Sequence, residues 1–294
     1  MRVGIYLKAS HSAPDPFSAA DRQVKPLVSV VMPVLNPHPR HFREAVESVL
    51  AQTLADFELI IVEDPSPRDG RELIADLQDP RIVHVRNESR SCLRDQLNQG
   101  LRLAQADLIA RADADDICCP QRLESQVARF AAEPELDVLG SRLEIIDDKG
   151  RQLGYRNYPL THEEIVRAMR RFNPVAHPSV TFRRSTVLSA DSYVAEVYVE
   201  DYDLWCRLAA SGARFANDPQ PRVRYRIHPE GMKSEKLKQM IAATVDLKRR
   251  YFHGEMTLAE RTRLLAERGL IWMPRQLVLW LFARTAFSRT LAEN

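Results

Sequence analysis

The feature that most constrains this chain is an alternation in its first half. Short unbroken apolar runs of strand length are followed in turn by segments with helical spacing. The run at 27–35 (LVSVVMPVL) is rich in Val and has no polar-out alternation, the pattern of a parallel strand covered on both faces. The segment 41–53 places Phe42, Ala45, Val46, Val49 and Leu50 on one helical face. The pattern then predicts strands at 57–64, 81–85, 107–116 and 136–146, and helices at 71–78, 91–106 and 120–133, the last opened by Pro120. Strand–helix units repeated about four times predict an α/β layered fold with a mostly parallel central sheet flanked by helices. The second half is more mixed: helices at 162–172, 199–212 (ended by Gly212) and 233–252, and strands at 178–184, 213–218 and 222–228. Residues 1–26 read as a leader, with a short strand at 3–7 as its one candidate element.

Right-handed crossovers line up the carboxyl ends of parallel strands along one edge, where such sheets bind ligands. Three polar clusters fall at those ends: Asn36, Glu63–Asp64 and Asp113–Asp116. The ten glycines form neither G-x-G-x-x-G nor G-x-x-x-x-G-K-[ST], so a phosphate ligand needs another counter-charge, most simply a divalent cation on carboxylates. Asp113 and Asp115, two apart on an extended strand, point to one side and offer hard oxygen ligands to Mg²⁺ or Mn²⁺. The alternative is a polar loop capping the helix near Pro120.

Composition removes other classes. With 42 basic and 40 acidic residues the net charge is +2, which argues against a nucleic-acid binder. Cys92, Cys118, Cys119 and Cys206 form no C-x-x-C pair, so a zinc site is not expected and reduced thiols in a cytoplasmic protein are. No apolar run reaches the roughly 18 residues of a membrane span, and the first residues do not read as a signal peptide.

Several stretches together resemble the family 2 glycosyltransferases, inverting nucleotide-sugar-dependent enzymes with the GT-A fold, of the type that builds bacterial surface polysaccharides. They are VSVVMPVLN (28–36), LIIVED (59–64), LNQGLRLAQADLIARADADDICCPQRLESQV (97–127), NPVAHPSV (173–180), EDYDLWCRLAASG (200–212) and YRIH (225–228). The resemblance implies a catalytic domain over 27–230, with a nucleotide-binding half at 27–118 and an acceptor half at 119–230. A C-terminal helical extension at 231–294 would follow. It implies Asp115 as principal metal ligand, Asp113 on the ribose or the metal, and a His near the diphosphate or metal at His228. Glu63 would hydrogen-bond the base, Pro33, Val34 and Asn36 would line the nucleoside pocket, and Arg94 would lie near the donor. Asp201 would be the general base. Where the family often has Asp-Asp-Gly-Ser, this chain has Glu63-Asp64-Pro65-Ser66, which puts the details of base recognition in question.

The implied activity is transfer of a sugar, with inversion, from a nucleotide-diphosphate donor, expected to be a UDP-sugar, to a glycan or lipid-linked glycan. Mn²⁺ or Mg²⁺ would stabilise the leaving diphosphate while Asp201 takes the acceptor proton. Each residue also has a plainer reading. Asp201, with Glu200, sits where acids stabilise the first turn of a helix. His177 and Trp205 are candidates for the acceptor site or for the core. Arg226 is a phosphate contact or a solvated strand residue, and Arg170 and Arg171 are cations ending a helix. A catalytically degenerate nucleotide-sugar binder and a sugar-phosphate nucleotidyltransferase are the alternative functions. A dimer of the chain is compatible with the sequence.

Residues 233–294 carry 12 Lys or Arg and 6 Asp or Glu, a net of +6. The apolar stretch 271–287 contains Trp272 and Trp280, with Arg275 and Arg284 beside it. It predicts either a peripheral contact with the inner face of the cell membrane or a helix docked on protein.

Overall fold

A computed structural model describes residues 25–194, 198–228, 234–274, 277–278, 288 and 290–292. The leader and its strand at 3–7 lie outside these residues, as do Arg275, Trp280 and Arg284 of the tail. The strands are β1 (Val28–Leu35), β2 (Phe57–Asp64), β3 (Ile82–Arg86), β4 (Leu108–Arg111), β5 (Ile117–Cys118), β6 (Leu136–Ile146), β7 (Gln152–Arg156), β8 (Thr181–Arg183) and β9 (Arg214–Arg226). The helices are α1 (Pro39–Leu50), α2 (Gly70–Leu73), α3 (Leu93–Leu103), α4 (Arg122–Ala132), α5 (His162–Ala168), α6 (Arg184–Ser189), α7 (Glu200–Ala210), α8 (Ser234–Phe252) and α9 (Leu258–Gly269).

The strands form one sheet in the order β3-β2-β1-β4-β8-β6-β9-β5, with β7 added to β6. The first four strands are parallel, as the apolar runs predict. The rest is mixed rather than mostly parallel: β6 pairs β9 in parallel, while β4–β8, β6–β8, β6–β7 and β5–β9 are antiparallel. Of the antiparallel pairs only β6–β7 is a hairpin with a short turn; β4–β8, β6–β8 and β5–β9 join strands far apart in the chain.

Strand alternation sorts the core into two faces. Val28, Val30, Met32 and Val34 of β1 and Leu59 and Ile61 of β2 pack under α1 with Phe42, Ala45, Val46 and Val49. Val31, Ile60 and Val62 face the opposite side, against Leu97 and Leu101 of α3 and Leu204, Trp205 and Leu208 of α7. Gly100 lets α3 approach the sheet closely, because a Cβ there would lie 2.3 Å from Val31 Cγ1.

Several elements differ from the expected ranges. The strand expected at 107–116 ends at Arg111, and the acids lie in the following turn. The helix expected at 71–78 closes after Leu73, with Ile74 as its C-cap. Pro120 sits in the turn before α4, whose first residue is Arg122. The strands expected at 213–218 and 222–228 are one irregular strand, β9. The segment 178–184 divides into a 3₁₀ turn (His177–Ser179), β8 and the start of α6. β5 and β7 carry no pattern of their own; β5 depends on pairing with distant β9, and β7 on its hairpin with β6.

Candidate active site

The acids after β4 are brought together by a turn. Carboxylate oxygens of Asp113, Asp115 and Asp116 all lie within 4.8 Å of one another. Arg122, fully buried on α4, fixes the strand end beneath them by donating from Nη2 to the carbonyls of Arg111 at 2.6 Å and Val180 at 3.2 Å. Antiparallel pairing of β5 with β9 carries the chain end of β9 back to this turn. There the Arg226 N–H donates to Asp116 Oδ1 at 2.8 Å, and His228 Nε2 lies 2.9 Å from Asp115 Oδ2. On its other side, His228 Nδ1 lies 3.6 Å from Asp148 Oδ1 in the β6–β7 turn.

Three carboxylates so close resist simultaneous ionisation. Burial, and then the charge of Asp113, raise the pKa of Asp115 above the ordinary carboxylate value. Asp116 is pushed well above it, first by burial and then by Asp113 and Asp115, and its Oδ2 has no hydrogen-bond partner. Arg111, 4% exposed, is ion-paired with Asp113. Burial alone would lower its pKa, but Asp113 more than offsets this, and the guanidinium stays charged. The converging carboxylates of Asp113, Asp115 and Asp116, one of them with an orphaned buried oxygen and with His228 against Asp115, fit a divalent cation with oxygen ligands.

A second acidic pair opens α7, where the helix N-terminus favours negative charge. Asp201 Oδ2 accepts from Asn173 Nδ2 at 2.6 Å and Oδ1 accepts from the Tyr202 N–H at 2.7 Å. Burial nonetheless raises the Asp201 pKa, against these two hydrogen bonds and the charge of Arg111. Burial and the neighbouring Asp201 push Glu200 up to about 7, and Arg111 and Asp113 also act on it. The α7 acids and the β4-turn acids therefore share one electrostatic environment, with Arg111 as its buried cation.

The other residues singled out from the sequence divide. Asn36 stands exposed at the end of β1 in the left-handed region, φ 50°, which Asn tolerates, with its N–H donating to Ser66 Oγ at 3.1 Å. Pro33 and Val34 are buried in the strand, and Val34 packs in the core under α1, so neither side chain lines an open pocket. Glu63 points inward as well. It is fully buried, accepts from the Gly70 N–H at 2.8 Å, and pairs with His84 Nε2 at 2.8 Å. Burial would raise its pKa, but the bonds from His84 and Gly70 hold it below the ordinary value. Its carboxylate is thus committed to the protein, and Asp64 likewise accepts from Ser91 and Asn87.

Arg94, at the start of α3, donates to Asp95 Oδ1 at 2.9 Å and to the Val194 carbonyl at 3.4 Å. The Arg226 guanidinium is buried and donates to the carbonyls of Asp115, Asp147 and Asp148 and to Glu44 Oε2. It ties two turns together rather than facing outward. His177 is buried, with Nε2 3.0 Å from Tyr193 Oη; burial and then Arg111 depress its pKa well below the usual value. Trp205 is fully buried against Phe182 and His177 and belongs to the core. Arg111, Asn173 and Asp148 were missed. The one available signal was a cation ending an otherwise apolar strand two residues before Asp113.

Comparison with known proteins gives one family profile, described as glycosyl transferase family 2, matching residues 29–190. The amylovoran biosynthesis glycosyltransferase AmsE of Erwinia amylovora is 32% identical over 203 residues, 68% of this chain and 76% of that protein. The UDP-Gal:alpha-D-GlcNAc-diphosphoundecaprenol beta-1,3-galactosyltransferase of Escherichia coli is 27% identical over 212 residues, 71% of this chain and 77% of that one. Among solved structures, the mannosyltransferase PcManGT of Pyrobaculum calidifontis, in complex with GDP-Man and Mn²⁺, superposes with a TM-score of 0.59. It is 16% identical, and the match covers 94% of this chain and 83% of that one.

Proposed function

The chain belongs to glycosyl transferase family 2 and has the GT-A-like fold, a mixed sheet flanked by helices; from that premise we propose an inverting, cation-assisted sugar transfer with Asp201 as general base. The observation that carries this reading is that two acid groups from distant parts of the chain, Asp113–Asp116 and Glu200–Asp201, both lie within the electrostatic reach of buried Arg111, which is ion-paired with Asp113.

In the proposed reaction the acceptor oxygen forms a bond to the anomeric carbon as its proton passes to Asp201. The bond from that carbon to the nucleotide diphosphate breaks, and the electron pair leaves on the phosphate oxygen. Asn173 and the Tyr202 N–H hold the Asp201 carboxylate in one orientation, and its raised pKa makes it a stronger base than a solvated aspartate. Asp115, Asp113 and His228 are the proposed ligands of Mn²⁺ or Mg²⁺, which when bound stabilises the leaving diphosphate as a Lewis acid. Arg226 holds the Asp115 turn, and Asp148 lies against the far nitrogen of His228, where a carboxylate orients a ligating imidazole. With Glu63 and Asp64 committed internally, nucleoside recognition falls to Asn36 and the exposed end of β1, and Arg94 lies on the donor side. Of the sequence candidates for the acceptor side, Glu200 remains.

The E. coli relative is named for a UDP-sugar donor and a diphosphoundecaprenol-linked acceptor. The structural neighbour holds a GDP-sugar. We propose a UDP-sugar donor and a lipid-linked glycan acceptor, met at the inner face of the cell membrane. The test is donor binding by calorimetry with UDP-, GDP-, dTDP- and CMP-sugars, with and without Mn²⁺, beside Asp115→Ala. Mn²⁺-dependent binding of one donor, lost in the variant, supports the reading. Binding that ignores Mn²⁺ and survives Asp115→Ala overturns the cation role.

A further inference from the structure

Helix α9 has one side joined to the protein and one that is not. Toward α8 it presents Leu264, and Leu270, Ile271 and Met273 follow onto Leu237, Ile241 and Val245 of α8. Both of its acids are engaged away from solvent-facing apolar residues: Glu267 pairs with Lys248 at 2.7 Å, and Glu260 closes the capping box with Thr257. On the other side Leu258, Leu265 and Trp272 recur every seventh residue and are 80%, 68% and 87% exposed. At about 100° per residue, Leu258 and Leu265 lie within roughly 20° of each other, and Trp272 continues the row in the 3₁₀ turn Leu270–Trp272. Arg261 and Arg268, also seven apart, run along one flank, and Thr262 and Gly269 along the other.

We propose that this face docks on an anionic phospholipid surface, with the apolar row in the interface and Arg261 and Arg268 on headgroup phosphates. The chemistry matches an interfacial helix: a narrow apolar row, an indole at its end, flanking guanidinium groups, and the acids turned away. A second copy of the chain fits less well. Packing the row antiparallel against itself brings the two arginine flanks together, whereas an anionic leaflet neutralises them. The charge agrees, since residues 233–294 carry a net of +6 against −4 for the remainder, from a total of +2. None of the described helices is long and apolar enough to cross a membrane, so the contact is peripheral. The inference stands on this face alone and does not require the assigned chemistry.

The test is co-sedimentation of the full chain with vesicles of phosphatidylcholine, and of phosphatidylcholine mixed with phosphatidylglycerol. Binding is expected to the mixed vesicles and not to the neutral ones, and to weaken with salt. Arg261→Gln with Arg268→Gln should cut the partition coefficient about thirtyfold, at about 1 kcal/mol per basic residue near an anionic surface. Leu265→Ser with Trp272→Ser should abolish vesicle binding while leaving the melting temperature and nucleotide-sugar binding by calorimetry unchanged. Absence of binding to the mixed vesicles, or equal binding to both kinds, overturns the proposal. So does a lower melting temperature in the Leu265→Ser, Trp272→Ser variant, which would show the face covered by the chain itself. Loss of a dimer in that variant would assign the face to a second copy.

Discussion

Replacing Arg111 by Met removes the buried cation that is ion-paired with Asp113 in the β4 turn. Met has similar length and no charge, so the perturbation is electrostatic more than steric. Arg111 is 4% exposed and ion-paired with Asp113, whose side chain is 28% exposed. Removing one partner of a buried pair costs about 3–5 kcal/mol. Partial exposure of Asp113 places this case near the lower end, at about 3 kcal/mol, or a fall in melting temperature of roughly 6–12 °C for a domain of this size. Asp113→Asn in the same chain removes the orphaned charge, and the double variant should recover most of the loss. Mn²⁺ adds a second check. With the guanidinium gone, the carboxylates hold a cation more tightly, so Mn²⁺ should raise the melting temperature of Arg111→Met more than that of the parent. Urea denaturation and thermal melts of the four chains, each with and without Mn²⁺, read all of this. A cost below about 1 kcal/mol, or one that Asp113→Asn leaves unchanged, would refute Arg111 as the counter-charge.

Asp116→Asn keeps the acceptor for the Arg226 N–H and removes a carboxyl whose pKa is raised well above the usual value. The folded state binds that proton more tightly than the unfolded chain, so its contribution is full below the unfolded pKa and is lost as pH rises through the folded one. The cation-free variant should therefore melt no lower than the parent at pH 7 and show a smaller shift with Mn²⁺. Glu200→Gln removes the carboxyl beside Asp201. Because Asp201 raises Glu200 rather than the reverse, and Glu200 is held up to about 7, the acid limb of the kcat/KM profile, where Asp201 becomes protonated, should stay in place, and a limb that moves would show Glu200 charged beside the base. Gly70→Ala would put a Cβ 2.8 Å from Glu63 Oε2 and 3.2 Å from Phe42 Cε1, and should destabilise the fold by about 1–3 kcal/mol without changing donor preference. Thermal melts and donor binding read that prediction.

The parallel half of the sheet was legible because a run such as 27–35 can satisfy both of its faces only in a covered strand. The Asp113–Asp115 pair and the acid at the start of α7 could be picked out as candidates, since each sits at an element end. The geometry that unites them was not. Asp113 and Asp115 converge through a turn after Arg111 rather than through strand alternation, so the carboxylates are close for a reason other than the expected one. Glu63 shows how a strand end misleads: it shares a face with Leu59 and Ile61, and Gly70, lacking a Cβ, leaves the space its carboxylate fills. The orienting groups Asn173 and Asp148 act across 28 residues to Asp201 and 80 residues to His228, separations that carry no local pattern.

The central claim is tested most directly by Asp201→Asn. Radiolabelled sugar transfer from the bound nucleotide donor to a lipid-linked acceptor would be followed alongside donor affinity. Loss of a positioned general base lowers kcat by about 10²–10⁴. The account predicts a loss in that range with donor affinity unchanged within about twofold, because Asp201 lies on α7 and the proposed donor contacts lie on β1, α3 and the β4 turn. A kcat reduced less than tenfold, with the donor still bound, would contradict it.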